Sequence, residues 1–494
     1  MDSEPTSEAP REHDALAKLP ARIHLLGVGG AGVSGLARIL RARGANVSGH
    51  DRSESGMLDS LKELALPITC GNSRAELLPL DAELVIRSAA VPADDPQVQT
   101  AVARGVPVLK YAEFLPRLAP PERLLGVAGT HGKTTTSWMV WHALDGIAAL
   151  SGGRTAGALI GGICRRLSTN AVAGSPDGFF CLEACEYDRS FLRLAPQGAV
   201  ITNVEEDHLD YYGTFVAIRE AFARFASQVA SEGLLVLGRA VPDEVDFATR
   251  ATVWRLGREL ETDLLGEDKG RFRFRLRGPG WATRGIQLGV PGHFNVENGA
   301  LALALAIGLV SRMERVPAER LLAGAAEGLE RFLGAERRFE PWGTVGGVQV
   351  VHDYAHHPTE VRSTIEAALR VFPRVPLHVL FQPHQHSRTA RFLEAFAESL
   401  RAARHVVVAE VYGARKHIDG ERLAGASELV RELEKRDVDA VDGGPLASSL
   451  EHFVRALPEK AAALVLGAGD VERVRDALLR DLALRGALRS GPRR

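Results

Sequence analysis

Short apolar runs alternate with helically periodic segments along almost the whole chain. Ile23–Val28, Leu84–Ile86, Leu124–Val127 and Ala199–Ile201 have the length and continuity of buried strands, as do Val348–Val351, Val379–Phe381, Val406–Val408 and Ala463–Leu466 later on. Between such runs, Val33–Arg43 and Thr359–Val371 repeat apolar residues along one helical face. Strands that alternate with helices in this way build parallel sheets covered by helical layers, so the pattern predicts an α/β protein. Two stretches interrupt it: a proline-rich one around Pro116–Arg123, and a loop-rich, charged one around Gly334–Gly346. With 494 residues, these breaks predict three domains, at 21–117, 118–336 and 337–494, behind a polar, acidic and disordered tail at 1–20.

Composition narrows the class. A net charge of −2 offers no basic field, so no nucleic-acid partner is expected. Apolar residues at 45% and charged residues at 25% exclude a chain that is mainly disordered. No apolar run reaches the roughly 18 residues of a membrane span, and the start lacks a charged-then-apolar signal, so no membrane insertion is expected. The four cysteines, Cys70, Cys164, Cys181 and Cys185, are too few for a disulfide framework and read as buried thiols of a cytoplasmic protein. Only eight of the 60 basic residues are lysine, which makes each lysine conspicuous.

The first strand runs into Gly27-Val28-Gly29-Gly30-Ala31-Gly32 and then a helical pattern. Gly27, Gly29 and Gly32 are spaced so that backbone amides at a helix start can approach a diphosphate. Asp51 ends the second strand, 19 residues past Gly32, where an acid commonly meets a ribose. This spacing does not separate a nicotinamide dinucleotide from another nucleotide.

A second and stronger signal follows Leu124–Val127. Gly129-Thr130-His131-Gly132-Lys133-Thr134-Thr135 leads from a strand into a helix. Its amides and Lys133 would cradle β- and γ-phosphates, with the Thr134 hydroxyl on Mg²⁺. Val127 stands where the general motif has glycine, so this is a shortened variant, and no further lysine occurs before Lys269. Downstream, Phe179–Asp188 and Ala199–Asp210 read as strands ending in acidic residues, where a parallel sheet collects metal ligands. Glu183 and His208 are the candidates to complete the shell with Thr134. Mg²⁺ prefers oxygen, so His208 is either a ligand or a hydrogen-bond donor beside one. Glu205, Glu206, Asp207 and Asp210 read as a solvated acidic turn.

Together with Asp353-Tyr354-Ala355-His356-His357-Pro358-Thr359-Glu360, these motifs resemble the Mur ligases, ATP-dependent amino-acid ligases of bacterial cell-wall precursor synthesis. The resemblance covers about residues 21–480. The first glycine loop, the segment around His208, and Phe381-Gln382-Pro383-His384 with Ser387-Arg388-Thr389 are similar to the member that adds L-alanine to UDP-N-acetylmuramate. It implies an N-terminal Rossmann-like UDP-binding domain, a central P-loop ATPase domain with a mostly parallel sheet, and a C-terminal Rossmann-like domain for the amino acid. It also implies ATP and Mg²⁺ as cofactors and an acyl phosphate as intermediate.

Residue by residue, the resemblance assigns Gly27, Gly29, Gly30, Gly32 and Asp51 to the UDP-sugar. Asn295 and Asn298 would face the adenine, a pair that otherwise reads as helix caps. Arg337 and Arg338 would lie at the hinge into the last domain, with Asp353 on the ribose side. His357, His384 and Arg388 would meet the amino acid, and Lys133, His208 and Arg388 would carry catalysis. Phe294, Gln385, His386 and Ala390 depart from the family pattern. The carbamoylated lysine of some sister ligases has no counterpart, because no lysine lies between Asp210 and Lys269. The competing readings are an NAD-dependent oxidoreductase, a non-catalytic nucleotide-sugar sensor and a tripeptide-recycling ligase. Oligomeric state is not legible.

Overall fold

The computed structural model describes residues 19–413 and 423–490, so the tail reading at 1–20 lies, but for its last two residues, outside the described residues. The chain folds as two compact units. The first comprises Met1–Ile163, Ser168–Leu260 and Leu301–Gly328, and the second Cys164–Leu167, Glu261–Ala300 and Leu329–Arg494.

The first unit holds two sheets. One is parallel and five-stranded, in the order Ile68–Cys70, Asn46–Asp51, Arg22–Leu26, Leu84–Arg87, Val108–Lys110. The other has seven strands and centres on Leu124–Ala128, which pairs in parallel with Gly198–Asn203 on one side and Phe180–Glu183 on the other. The helix Ala31–Ala42 buries Val33, Leu36, Ile39 and Leu40, the stripe its periodicity predicts. It also carries Gly35, where a Cβ would meet Leu159 at 2.4 Å, so this helix packs tightly on the seven-stranded sheet.

The second unit holds a small antiparallel sheet spanning Glu261–Gln287 and a six-stranded sheet. Five strands of the latter are parallel: Val348–Asp353, Ala461–Leu466, Leu377–Phe381, His405–Ala409 and Ala440–Gly444. The sixth, Glu340–Val345, is an antiparallel edge strand within the stretch expected to be loop. Buried Trp342 anchors it, and edge position tolerates Pro341 because no ladder bond is needed on the open side. Each of the eight strand-like runs named above contains a strand, although the first ends at Leu26, with Gly27 and Val28 already in the loop.

One expectation is corrected. Cys70 and Cys185 are exposed, because one ends an edge strand and the other lies in a loop past a strand end; only Cys164 and Cys181 are buried. The helix Phe294–Glu314 is long and apolar enough to cross a membrane by length and composition. Most of its apolar stretch is buried, and Gly198 and Gly308 let its Leu305 and Leu309 and the Trp254 ring pack closely, as in a core helix that is apolar all round.

Candidate active site

Strand Leu124–Ala128 delivers the phosphate loop to the middle of its sheet. Val127, which breaks the general motif, is still fully buried strand, so the loop opens only at Gly129. Gly129 has φ +135° and lies where a Cβ would stand 1.9 Å from Thr202 Oγ1; no side chain fits there. The neighbouring strand clamps the loop. Asn203 Oδ1 accepts from the His131 amide at 2.8 Å, Thr202 Oγ1 donates to the His131 carbonyl at 2.6 Å, and Thr130 Oγ1 accepts from the Glu205 amide at 2.9 Å. Gly132, at φ +80°, turns the chain into the helix Lys133–Ser151. First-turn amides of a helix have no intrahelical acceptor, which suits them to an anion. Thr134 and Thr135 on that turn are buried.

Lys133 Nζ donates to the Gly129 carbonyl at 2.6 Å, the Thr130 carbonyl at 2.9 Å and Glu186 Oε1 at 3.0 Å. Burial alone would pull its pKa down, but the attraction of Glu186 prevails and the ammonium is held charged. Burial pushes the Glu186 carboxyl up, against the pull of Lys133. Beside them, Thr134 Oγ1 donates to Glu183, 3.0 Å from each carboxylate oxygen, and the Gly161 amide donates to Glu183 Oε2 at 2.7 Å. The structure thus brings together Lys133, Thr134 and Glu183, as the sequence led one to expect. His208 joins through Glu186, its Nε2 lying 3.8 Å from Glu186 Oε1 and 3.7 Å from Asp207 Oδ2.

Two features of this cluster were missed. Glu186 sits three residues past Glu183 on the same strand-end loop; that spacing, in a loop facing Lys133, was the available signal. The reading of a solvated acidic turn fails at Asp207, which is buried, its carboxylate accepting from the His208 amide at 2.7 Å. Glu206 and Asp210 are exposed.

In the five-stranded sheet, the Gly27 and Val28 amides both donate to the His50 carbonyl, at 2.9 and 3.3 Å, which folds the first glycine loop over the second strand. Gly27 has φ +75°. Asp51 closes on this loop, accepting from the Gly29 amide at 2.8 Å and the Ser53 amide at 3.1 Å. The Gly30 amide donates to the Gly27 carbonyl at 3.2 Å, and a Cβ at Gly32 would meet the Tyr111 ring at 2.8 Å. Asp51 is therefore beside the loop, with both carboxylate oxygens bonded to backbone.

The second unit carries the remaining candidates. Asn295 Nδ2 donates to the Pro291 carbonyl at 2.6 Å and Asn298 Nδ2 to Asn295 Oδ1 at 3.0 Å, so the buried pair is one linked unit. Phe294 is partly exposed, its ring over Gly292. Asp353 accepts from the Phe339 and Ala355 amides, at 2.7 and 2.9 Å. Burial pushes its carboxyl up to about 6 against the opposing pull of the Arg338 guanidinium, which lies 5.3 Å from the Tyr354 ring centroid. Arg337 instead pairs with Glu472.

His357 caps the helix Pro358–Val371, its Nδ1 accepting from the Thr359 amide at 3.3 Å. Arg388 is buried on the short helix His386–Arg391, with Nη1 3.2 Å from His384 Nδ1, and the His384 ring stacks on Tyr412. Gln385 adopts φ +69°, which reverses the chain between His384 and the helix. The departure at Gln385 thus leaves His384 and Arg388 adjacent.

A parallel sheet with a lysine-bearing phosphate loop at its central strand, and carboxylates at the ends of adjoining strands, defines a nucleotide-using phosphoryl-transfer protein. The chain belongs to the Mur ligase family, whose members are ATP-dependent ligases. Three family models match: the Mur ligase family catalytic domain over 22–123, the Mur ligase middle domain over 127–306, and the Mur ligase glutamate ligase domain over 337–471. The UDP-N-acetylmuramate–L-alanine ligase of Kineococcus radiotolerans is 39% identical, covering 96% of this chain and 98% of that protein. The enzyme of the same name from Salinibacter ruber is 34% identical, over 95% and 96%. The crystal structure of the UDP-N-acetylmuramate-alanine ligase of Thermotoga maritima matches with a TM-score of 0.74 and 26% identity, covering 93% of this chain and 98% of that one. A murein peptide ligase from Psychrobacter arcticus shares the fold, with a TM-score of 0.66 and 22% identity over 94% and 99% of the two chains.

Proposed function

We propose that this protein joins L-alanine to the carboxylate of UDP-N-acetylmuramate, with cleavage of ATP to ADP and phosphate. The observation that carries this reading is the cluster of Lys133, Thr134 and Glu183 at the phosphate loop, in a chain so similar to alanine-adding ligases along its whole length. A carboxylate does not condense with an amine because oxide is a poor leaving group. The muramyl carboxylate oxygen therefore attacks the γ-phosphorus of ATP, the bond to ADP breaks, and an acyl phosphate forms. The L-alanine amine then attacks its carbonyl carbon, phosphate departs, and the amine loses its proton to give the amide.

No side-chain nucleophile is needed, so the protein acts by charge and position. Lys133 and the loop amides hold the β- and γ-phosphates. The Thr134 hydroxyl and Glu183 carboxylate form an oxygen donor pair of the kind Mg²⁺ prefers, and His208 stands beyond Glu186 to complete its surroundings. When bound, Mg²⁺ neutralises charge on the transferring phosphoryl group. Asn295, Asn298, Arg338 and Asp353 serve the adenosine, and the loop from Gly27 to Gly32 with Asp51 serves the UDP-sugar. Arg388, oriented by His384, makes two parallel hydrogen bonds to the L-alanine carboxylate, and His357, on the capping turn of the helix Pro358–Val371, serves the same substrate. The substrates divide among three domains at 21–117, 118–336 and 337–494. A cytoplasmic location follows from the reaction's use of ATP and a UDP-sugar.

The test is product analysis. With UDP-N-acetylmuramate, L-alanine, ATP and Mg²⁺, mass spectrometry should show the alanyl product and equimolar ADP. Hydroxylamine in place of L-alanine should trap the acyl phosphate as a hydroxamate. AMP formation would refute the acyl-phosphate route, and preference for a preformed tripeptide would move the assignment to the recycling ligases.

A further inference from the structure

Lys133 is saturated by its own protein. An ammonium has three donors, and here all three are used, on the carbonyls of Gly129 and Thr130 and on Glu186. A phosphate can engage this lysine only by displacing one of these acceptors. The two carbonyls belong to the loop itself, which Thr202 and Asn203 pin to the next strand. Glu186 differs in kind. It arrives from a separate element, is a carboxyl group rather than a backbone carbonyl, and puts both oxygens within 3.0 Å of Nζ. Its side chain is 4% exposed, so water screens it little.

A phosphate placed at Lys133 would bring a second anion beside this buried carboxylate, and like charges at such range repel strongly in a site of low dielectric. The backbone of Glu186 is fixed: its carbonyl accepts from the Tyr212 hydroxyl at 2.6 Å and the Arg189 amide at 3.0 Å. Its side chain has another polar neighbour, His208 Nε2 at 3.8 Å from Oε1. The carboxylate can therefore leave Lys133 by side-chain rotation, without unfolding the loop that carries it.

We propose that Glu186 is an anionic placeholder, holding Lys133 in the resting protein and yielding it when a nucleotide phosphate arrives. It is a positioning residue that sets the affinity for every phosphate-bearing ligand through Lys133. This rests on the reading of Lys133 as the lysine that binds nucleotide phosphate.

The test compares wild type with Glu186→Gln, which keeps the shape and removes the charge, by calorimetry with ADP, inorganic pyrophosphate and adenosine. ADP and pyrophosphate should bind Glu186→Gln at least about fivefold more tightly, the order expected for loss of one competing charge-assisted hydrogen bond. Adenosine should bind both proteins alike, a selectivity that a merely structural role would not produce. The KM for ATP should fall by a similar factor. Glu186→Asp, which draws the carboxylate back by one methylene, should shift phosphate-bearing ligands in the same direction by a smaller factor, and it carries the comparison if the glutamine variant does not fold. If wild type binds neither ADP nor pyrophosphate, the reading of the phosphate loop itself fails. If wild type binds ADP and both variants bind it equally or more weakly, the loop reading stands and the placeholder is refuted.

Discussion

Replacing Lys133 by Ala removes three hydrogen bonds and leaves the Glu186 carboxylate buried without its counter-ion. Breaking one side of a buried ion pair costs about 3–5 kcal/mol, much of it the penalty on the stranded charge. Lys133→Ala should therefore lose turnover and also destabilise its unit by roughly that amount. Adding Glu186→Gln to it removes the stranded charge and should restore about half or more of the loss, since a neutral buried amide costs less than an unpaired carboxylate. The assay is denaturant unfolding of the four proteins of the cycle, followed by tryptophan fluorescence. Trp138 and Trp141 lie on the same helix as Lys133 and report on that unit directly. A Lys133→Ala protein as stable as wild type, or a double variant no more stable than Lys133→Ala, would refute the claim that Lys133 and Glu186 compensate each other.

Three further outcomes follow from the geometry. Thr134→Ser should keep most activity because the hydroxyl that meets Glu183 remains, whereas Thr134→Val should lose about a hundredfold or more in kcat at saturating Mg²⁺; equal rates for the two variants would remove Thr134 from the metal site. Arg388→Lys keeps the charge but not the fork, and should raise the KM for L-alanine about tenfold or more while the KM for ATP stays within about twofold; parallel rises in both would show a general loss of structure. His24 is buried, with Nε2 2.9 Å from Gln97 Oε1, and burial lowers its pKa to about 4. A depressed folded pKa means that the stability of neutral His24 is intact above the ordinary value of about 6.5 and is lost as pH falls through 4. Up to about 3 kcal/mol should go across that window, and His24→Gln should flatten the loss in unfolding measured from pH 7 to 4.

How much of this was legible depended on whether a signal was local. The phosphate loop reads directly, because Gly129, Gly132 and Lys133 lie together at a strand–helix junction and lysine is scarce. Glu183 was legible as an acid ending a strand, and its bond to Thr134 needed only the rule that parallel strand ends face such loops. Glu186 left only its three-residue spacing from Glu183 as a trace, since its role depends on burial against Lys133. Asn203 left none, since it clamps His131 from a strand distant in sequence. In the second unit, the edge strand Glu340–Val345 was hidden by Pro341 and Gly343, although the hairpin with Val348–Asp353 forms it. The helix Phe294–Glu314 escaped as a long apolar segment because Asn295, Glu297 and Asn298 interrupt its first turn.

Phosphoryl transfer at the loop needs the muramyl carboxylate as acceptor, and continued turnover needs the L-alanine amine to consume the acyl phosphate. Phosphate release from ATP, followed continuously with each substrate omitted in turn, tests it most directly. Sustained release should require UDP-N-acetylmuramate and L-alanine together. Release that proceeds without the muramyl substrate, or that is indifferent to L-alanine, would contradict it.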